Sequence, residues 1–321
     1  MPAFLTYVLF LIGFVILIYG ANWLVDGSSS LAKKFHIPDL IIGLTVVSLG
    51  TSAPELVVNL FAGSSGSTDL AIGNVVGSNI FNVLVILGVA AVIKPVNAHI
   101  NTTWKEIPLA LLASLILGIC ANDAYFDEED RSLLSTTDGL TLLGFFAIFM
   151  YYVIDVARNS KEHGEEVQIL PIWKSVLMIV GGLTGLIVGG KWIVDGAVEI
   201  AKTLGMSEAV IGLTIVAAGT SLPELATSAV ASYKGNSDIA IGNVVGSNIF
   251  NIFFILGITS SIYELPFSSG ANFDILMNIF TSLLMFVFLF TGSGRRINRI
   301  EGGIFVSIYI AYVIYLLMTQ V

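Results

Sequence analysis

The chain has one cysteine, Cys120, in 321 residues, which excludes an internal disulfide. Within an apolar run that thiol reads as a small hydrophobe. Histidine is almost as scarce: His36, His99 and His163 fall at segment edges or in loops. Charge is also short, with 14 Lys and Arg and 23 Asp and Glu making up 12% of the chain. That is about half the share of an ordinary soluble domain. So few charges could not cover a water-soluble surface of this size. Soluble enzymes, nucleic-acid binders and secreted scaffolds are thereby excluded. The net charge of −9 and pI near 4.7 give no reason to expect a nucleic-acid partner either.

What is present is apolar length. Hydrophobic residues make up 55% of the chain and the mean hydropathy is +0.90. No charge of either sign lies between Leu70 and Ile93. A membrane helix needs about 20 apolar residues. Ten such segments can be marked, at 3–25, 39–62, 70–93, 104–121, 136–157, 172–194, 208–231, 239–262, 272–291 and 301–319. The first is too long for a signal peptide and has no basic flank before it, so it reads as a retained membrane helix. The expected fold class is an all-α polytopic membrane protein of ten transmembrane helices.

The basic residues set an orientation. Alternating loops place Lys33, Lys34, Lys94, Lys105, Arg158, Lys161, Lys174, Lys234, Arg295, Arg296 and Arg299 on one side. Arg131, Lys191 and Lys202 fall on the other. By the positive-inside rule the first side is cytoplasmic and both termini are extracytoplasmic. The acidic run Asp127, Glu128, Glu129, Asp130 then lies outside, where it reads as a hydrated loop.

The strongest pattern is an internal repeat at an offset of 169 residues. Ala71 to Asn82 reads AIGNVVGSNIFN, and so does Ala240 to Asn251. Gly50-Thr51-Ser52-Ala53-Pro54-Glu55-Leu56 matches Gly219-Thr220-Ser221-Leu222-Pro223-Glu224-Leu225 at six of seven positions. Trp23 to Gly27 likewise matches Trp192 to Gly196. The offset spans five segments, an odd number, so each copy enters the membrane from the opposite side. The chain therefore divides into a first five-helix repeat at 1–157, a cytoplasmic linker at 158–171 and an inverted second repeat at 172–321. Inverted repeats build secondary transporters, with the substrate near the midplane between the halves.

Glu55 is the only charge between Leu40 and Thr68, and Glu224 the only one between Ala209 and Tyr233. A charge at mid-membrane depth costs roughly 2.5–3.5 kcal/mol on insertion scales, so it marks function by default. Two glutamates sharing a site would neutralise one divalent cation. Pro54 and Pro223 disrupt bonding to the carbonyls of Gly50 and Gly219, freeing backbone oxygens. Thr51 lies four residues before Glu55, and Thr220 before Glu224, spacing that puts each pair on one helix face. Ser78 with Asn82 and Ser247 with Asn251 have the same spacing. Asn74 and Asn243 read as supporting residues. Asp26 and Asp195, also repeat-related, read as caps or interfacial anchors at helix ends. The candidate ligands are all hard oxygens, which fits Ca²⁺ and Na⁺ and disfavours zinc, copper or iron.

These motifs resemble the sodium/calcium exchanger family of the cation/Ca²⁺ antiporter superfamily, in its short prokaryotic form. The resemblance covers essentially the whole chain. It implies that Glu55 and Glu224 coordinate Ca²⁺ and Na⁺. Thr51, Ser52, Thr220 and Ser221 would add hydroxyl or backbone oxygens, with Ser78, Asn82, Ser247 and Asn251 as ligands on the third and eighth helices. The main-chain carbonyls of Ser48 and Ala217 join that implied set. The resemblance also implies alternating access, with the first and sixth helices sliding against the rest, in a prokaryotic plasma (inner) membrane. Some relatives that need potassium carry Asp where this chain has Asn251, so no potassium requirement is expected. The expected partners are the ions and the lipid bilayer, with no cofactor and no obligatory protein partner. H⁺/Ca²⁺ exchange and K⁺-dependent Na⁺/Ca²⁺ exchange are the alternatives within transport. A passive channel and an intramembrane hydrolase are the alternatives outside it.

Overall fold

A computed structural model describes residues 3–122, 125, 132–159, 169–203, 217–267, 271–291 and 294–319. Apart from four two-residue strands, its regular elements are helices. In chain order they are α1 Ala3–Phe35, α2 Asp39–Thr51, α3 Ala53–Ser64, α4 Leu70–Ile93, α5 Thr102–Cys120, α6 Thr136–Asn159 and α7 Ile172–Thr203. Then come α8 Ala217–Thr220, α9 Leu222–Lys234, α10 Ser237–Ile262, α11 Asn272–Thr291 and α12 Arg299–Thr319. Among the described residues, eight helices are long and apolar enough to cross a membrane, and the bent pair α2–α3 makes a ninth. The segment expected at 208–231 is described from Ala217 onward. The acidic run 127–130 and most of the linker lie outside the described residues.

α10 forms the centre: 94% of its most apolar window is buried, against 17% for α6 and α12, whose flanks are left for lipid. α1 and α7 each run about ten residues beyond the apolar segments expected for them. The extension of α1 carries Ser28, Ser29 and Ser30, all buried. Ser30 Oγ accepts from Leu170 N at 2.8 Å and from Ser175 Oγ at 3.0 Å, and Ser29 Oγ accepts from Asn236 Nδ2 at 3.2 Å, so these two side chains have partners where hydropathy alone would end the helix. Asp26 and Asp195 consequently lie inside helices, correcting the expectation of helix ends. Asp26 pairs with Lys234 at 2.7 Å and ties α1 to α9, whereas Asp195 is 3.9 Å from Lys191 on its own helix.

α1 and α7 are antiparallel and nearly touch along a seam of glycines. A Cβ at Gly13 would sit 2.9 Å from Gly189 O, one at Gly20 2.9 Å from Gly182 O, and one at Gly27 2.9 Å from Ser175 O. Only a missing side chain lets two backbones approach that closely. The pair packs in a smaller apolar cluster that also takes in Ile42 and Val47 of α2, Ala231 of α9 and Ile239 and Ala240 of α10, beside the large core around α4 and α10.

The halves of the chain interlock. Strand β1, Val96–Asn97 after α4, pairs with β4, Arg296–Ile297 before α12. Strand β2, Leu133–Leu134 before α6, pairs with β3, Leu265–Pro266 after α10. α12 thus packs on α4 and α6 on α10. The repeat-related Gly88 and Gly257 seat the exchanged helices, with positions for a Cβ 3.0 Å from Gly302 O and 3.1 Å from a Leu143 methyl. A second device also recurs in both halves. Tyr152 on α6 donates to Glu106 on α5, and Tyr312 on α12 donates to Asp274 on α11 at 2.7 Å.

Candidate cation site

The GTS-x-PEL segments break their helices at the same place. Ser52 (φ −81°, ψ 7°) and Ser221 (φ −91°, ψ 8°) both leave helical geometry. The chain bends by 46° between α2 and α3. A new helix then starts with proline near its first position, where a missing N–H costs nothing. Glu55 and Glu224 therefore stand in the first turns of α3 and α9. The positive ends of the two helix dipoles lie under the carboxylates. Each glutamate is 1% exposed, and the Glu224 carboxylate lies close enough for Glu55 to feel its charge.

The bend changes which residues meet. Thr51 and Glu55 do not share a helix face, because α2 ends between them. Thr51 lies beside Glu224 of the other repeat, and Thr220 beside Glu55. The serines cross as well. Ser52 Oγ donates to Glu224 Oε1 at 3.0 Å, and Ser221 Oγ donates to Glu55 Oε1 at 3.1 Å. Exchanging each residue for its repeat equivalent 169 positions away turns one bond into the other, which is the relation a local two-fold axis produces.

A second reciprocal set lies in the paired helices α4 and α10. Asn79 Nδ2 donates to Asn248 O at 3.2 Å, and Asn248 Nδ2 to Asn79 O at 3.4 Å. Asn82 Nδ2 donates to Asn248 Oδ1, and Asn251 Nδ2 to Asn79 Oδ1, both at 2.9 Å. These bonds fix the Asn82 and Asn251 amides with nitrogen turned away and oxygen left over. At the same positions the backbone widens to i→i+5 bonding, over Asn82–Leu87 and Phe250–Leu256. Such bulges are frequent at functional sites.

Five buried oxygens of the candidate set have no hydrogen-bond partner: Glu55 Oε2, Glu224 Oε2, Asn82 Oδ1, Asn251 Oδ1 and Ser247 Oγ. Buried polar atoms are normally satisfied, and an unpaired buried carboxylate oxygen is costly. A cation is the simplest compensation. Ser78 Oγ lies 3.2 Å from Ser221 Oγ, which places it in the same cluster. Ser48 is buried, and its carbonyl accepts from Ser52 N at 2.9 Å, with the Thr51 hydroxyl, whose proton goes to Asn243, 3.3 Å away. Ala217 opens α8 at the equivalent place. Among the described residues no three of His, Cys, Asp and Glu come together.

Asn243 accepts from Thr51 at 3.1 Å and donates to Glu224 O at 3.2 Å and Ser228 Oγ at 2.9 Å. Its repeat mate Asn74 is less buried. Asn59, which stands where the second repeat has Ser228, donates to Glu55 O itself at 3.1 Å. One substitution thus changes the support of one glutamate and not the other. Sequence reasoning did not single out Asn79 and Asn248. The available signal was their place inside the twelve-letter repeat, but nothing linear shows that they bond to each other.

The chain is similar to known proteins along nearly its whole length. The family model described as "Sodium/calcium exchanger protein" matches residues 5–154 and 174–318. The inner membrane protein YrbG of Escherichia coli (strain K12) is 36% identical, over 86% of this chain and 87% of its own length. The sodium/calcium exchanger MaX1 of Methanosarcina acetivorans is 30% identical, over 97% of this chain and 98% of its own. A solved structure of the sodium-calcium exchanger NCX_Mj, soaked with Na⁺ and Sr²⁺, superposes with a TM-score of 0.83 at 32% identity, covering 97% of this chain and 98% of that one.

Proposed function

Because the chain belongs to the sodium/calcium exchanger protein family, a family of membrane antiporters, we propose that it exchanges Na⁺ for Ca²⁺ across a prokaryotic inner membrane. The observation that carries the proposal is the crossed pair of buried glutamates, each held by the other repeat's serine and each with one oxygen left unpartnered. Glu55 and Glu224 supply two negative charges. Asn82, Asn251, Ser247, Ser78 and the threonine and serine pairs 51/52 and 220/221 complete an oxygen shell for Ca²⁺, or for Na⁺ of similar radius. The soaking of NCX_Mj with Na⁺ and Sr²⁺ supports that ion class.

Coupling follows from the cost of unpaired buried charge. Ca²⁺ and Na⁺ compete for the same oxygens, so one ion excludes the other. An empty site would carry two uncompensated carboxylates and would not cross. Access alternates as α1 and α7 move together against the other helices, a reading supported by the glycine seam that joins them. In this reading the full count is ten helices in two inverted repeats, 1–157 and 172–321, joined by a cytoplasmic linker at 158–171. Both termini face outward. With three Na⁺ per Ca²⁺, one net charge crosses per cycle, worth about 2.3 kcal/mol per 100 mV. No cofactor and no K⁺ are required.

Ca²⁺ uptake into proteoliposomes tests the reading. Uptake driven by internal Na⁺ and insensitive to K⁺ is expected. Uptake that ignores the Na⁺ gradient but follows a pH gradient would replace Na⁺ with H⁺ as the counter-ion.

A further inference from the structure

A second polar cavity lies away from the glutamates, at the end of the molecule that carries most basic residues. It has a volume of about 660 Å³ and is lined by Ala98, His99, Ile100, Leu289, Phe290, Gly294 and Arg295. Its framework is the β1–β4 ladder, extended by Ala98 N donating to Arg295 O at 2.9 Å. Gly294 (φ 88°) and Arg295 (φ 50°) both take left-handed backbone, so the loop turns sharply and brings an arginine against the helix ends. The wall towards the membrane is apolar: Ile100 and Phe290 are about half exposed, and Trp104 packs edge-on against Phe286 and near Phe290 at ring distances of 5.7 and 5.6 Å. Tryptophan with one apolar and one polar edge marks the headgroup level of a bilayer. The aqueous lip is basic. Arg295 lines the cavity, Arg296 follows it in sequence, and Arg299 donates to Ile93 O at 3.2 Å across the same ladder. Asp238 bonds His99 at 3.2 Å and offsets that residue when it is protonated.

We propose that this cavity binds the phosphate of an anionic phospholipid, with the acyl chains lying along Ile100, Trp104 and Phe290 and the headgroup held by Arg295. The guanidinium suits a phosphodiester because it presents planar paired donors. Basic pockets between membrane helices bind such headgroups. A membrane lipid is favoured over free phosphate because one wall is exposed apolar surface at the depth of an interfacial tryptophan. The leaflet, cytoplasmic, rests on the proposed orientation; the cavity itself is independent of the ion chemistry.

Native mass spectrometry of the detergent-purified protein tests this, using phosphatidylglycerol, phosphatidylcholine and inorganic phosphate as probes. The wild type should retain one phosphatidylglycerol in preference to phosphatidylcholine. Arg295→Gln should reduce the retained fraction about five-fold, the size expected for one basic side chain at a charged headgroup. Ala98→Phe, which fills the cavity without altering charge, should also lose the lipid. Lys33→Gln with Lys34→Gln, basic residues outside the lining, should leave it bound. Unchanged retention in Arg295→Gln or Ala98→Phe overturns the site. Equal loss in the lysine variant, equal retention of phosphatidylcholine, or displacement by an equimolar amount of phosphate overturns it too.

Discussion

At the scale of single residues, the site is a set of oxygens whose partners have been rationed. Serine hydroxyls occupy Oε1 of each glutamate, and Oε2 is left over. Replacing either carboxylate by the neutral amide, Glu55→Gln or Glu224→Gln, should abolish Ca²⁺ exchange while the protein still inserts. Near-normal flux in either would refute the assignment. Because the serine bonds are reciprocal, Ser52→Ala and Ser221→Ala should act alike. A hydrogen bond to a charged group is worth about 1.5–3 kcal/mol, so each should raise the Ca²⁺ concentration for half-maximal uptake by about ten- to a hundredfold. A large effect of one and none of the other would deny the two-fold relation. Asn251→Asp puts a carboxylate 2.9 Å from the Asn79 oxygen, where an amide donor now sits. Turning Asn79 over would sacrifice its bond to Asn248 O. The variant should therefore work best when the new acid holds a proton, with flux falling as pH rises, and its Na⁺ and H⁺ dependence should change more than its Ca²⁺ affinity. A flat pH profile would remove this argument.

At the scale of elements, glycine and tyrosine set how helices meet. Gly20→Val would force a side chain to within 2.9 Å of both Gly182 O and Leu186 N, and neither backbone atom can yield cheaply. A destabilisation of about 1–3 kcal/mol is expected from such overpacking, read as a lower thermal midpoint in detergent. Gly144→Ala on the exposed face of α6 should be neutral or slightly stabilising, since Gly costs about 1 kcal/mol in a helix. The tyrosine–acid bonds Tyr152–Glu106 and Tyr312–Asp274 join α6 to α5 and α12 to α11. Tyr152→Phe and Tyr312→Phe should each lower thermal stability by about 1–3 kcal/mol, with little change in ion selectivity. Altered selectivity would place these pairs in the transport path instead.

At the scale of the whole molecule, the two halves are exchanged rather than merely adjacent. β1 pairs with β4 and β2 with β3, so α6 rests on the second half and α12 on the first. Residues 1–157 or 172–321 expressed alone would leave strand edges and helix faces without partners. Co-expressed, the two pieces should co-purify and restore Na⁺-driven Ca²⁺ uptake. Recovery of transport from one half alone would contradict the interlocked arrangement.

The membrane class, the positions of most helices and both glutamates were legible in the sequence, because burial of apolar length and the cost of a lone charge act locally. The repeat was legible because both halves retain the same letters. The lengths of α1 and α7 were not; in α1, Ser29 and Ser30 are tolerated only where packed neighbours satisfy them. The partners of Thr51 were misjudged because a 46° bend at Ser52 cancels the four-residue helical relation. The sequence by itself determined which atoms can hold a cation: hard oxygens at repeat-equivalent positions in otherwise apolar segments. Only the tertiary structure decided which of those oxygens are left unpaired. That choice depends on hydrogen bonds between residues about 170 positions apart, and chain order carries no record of such distances.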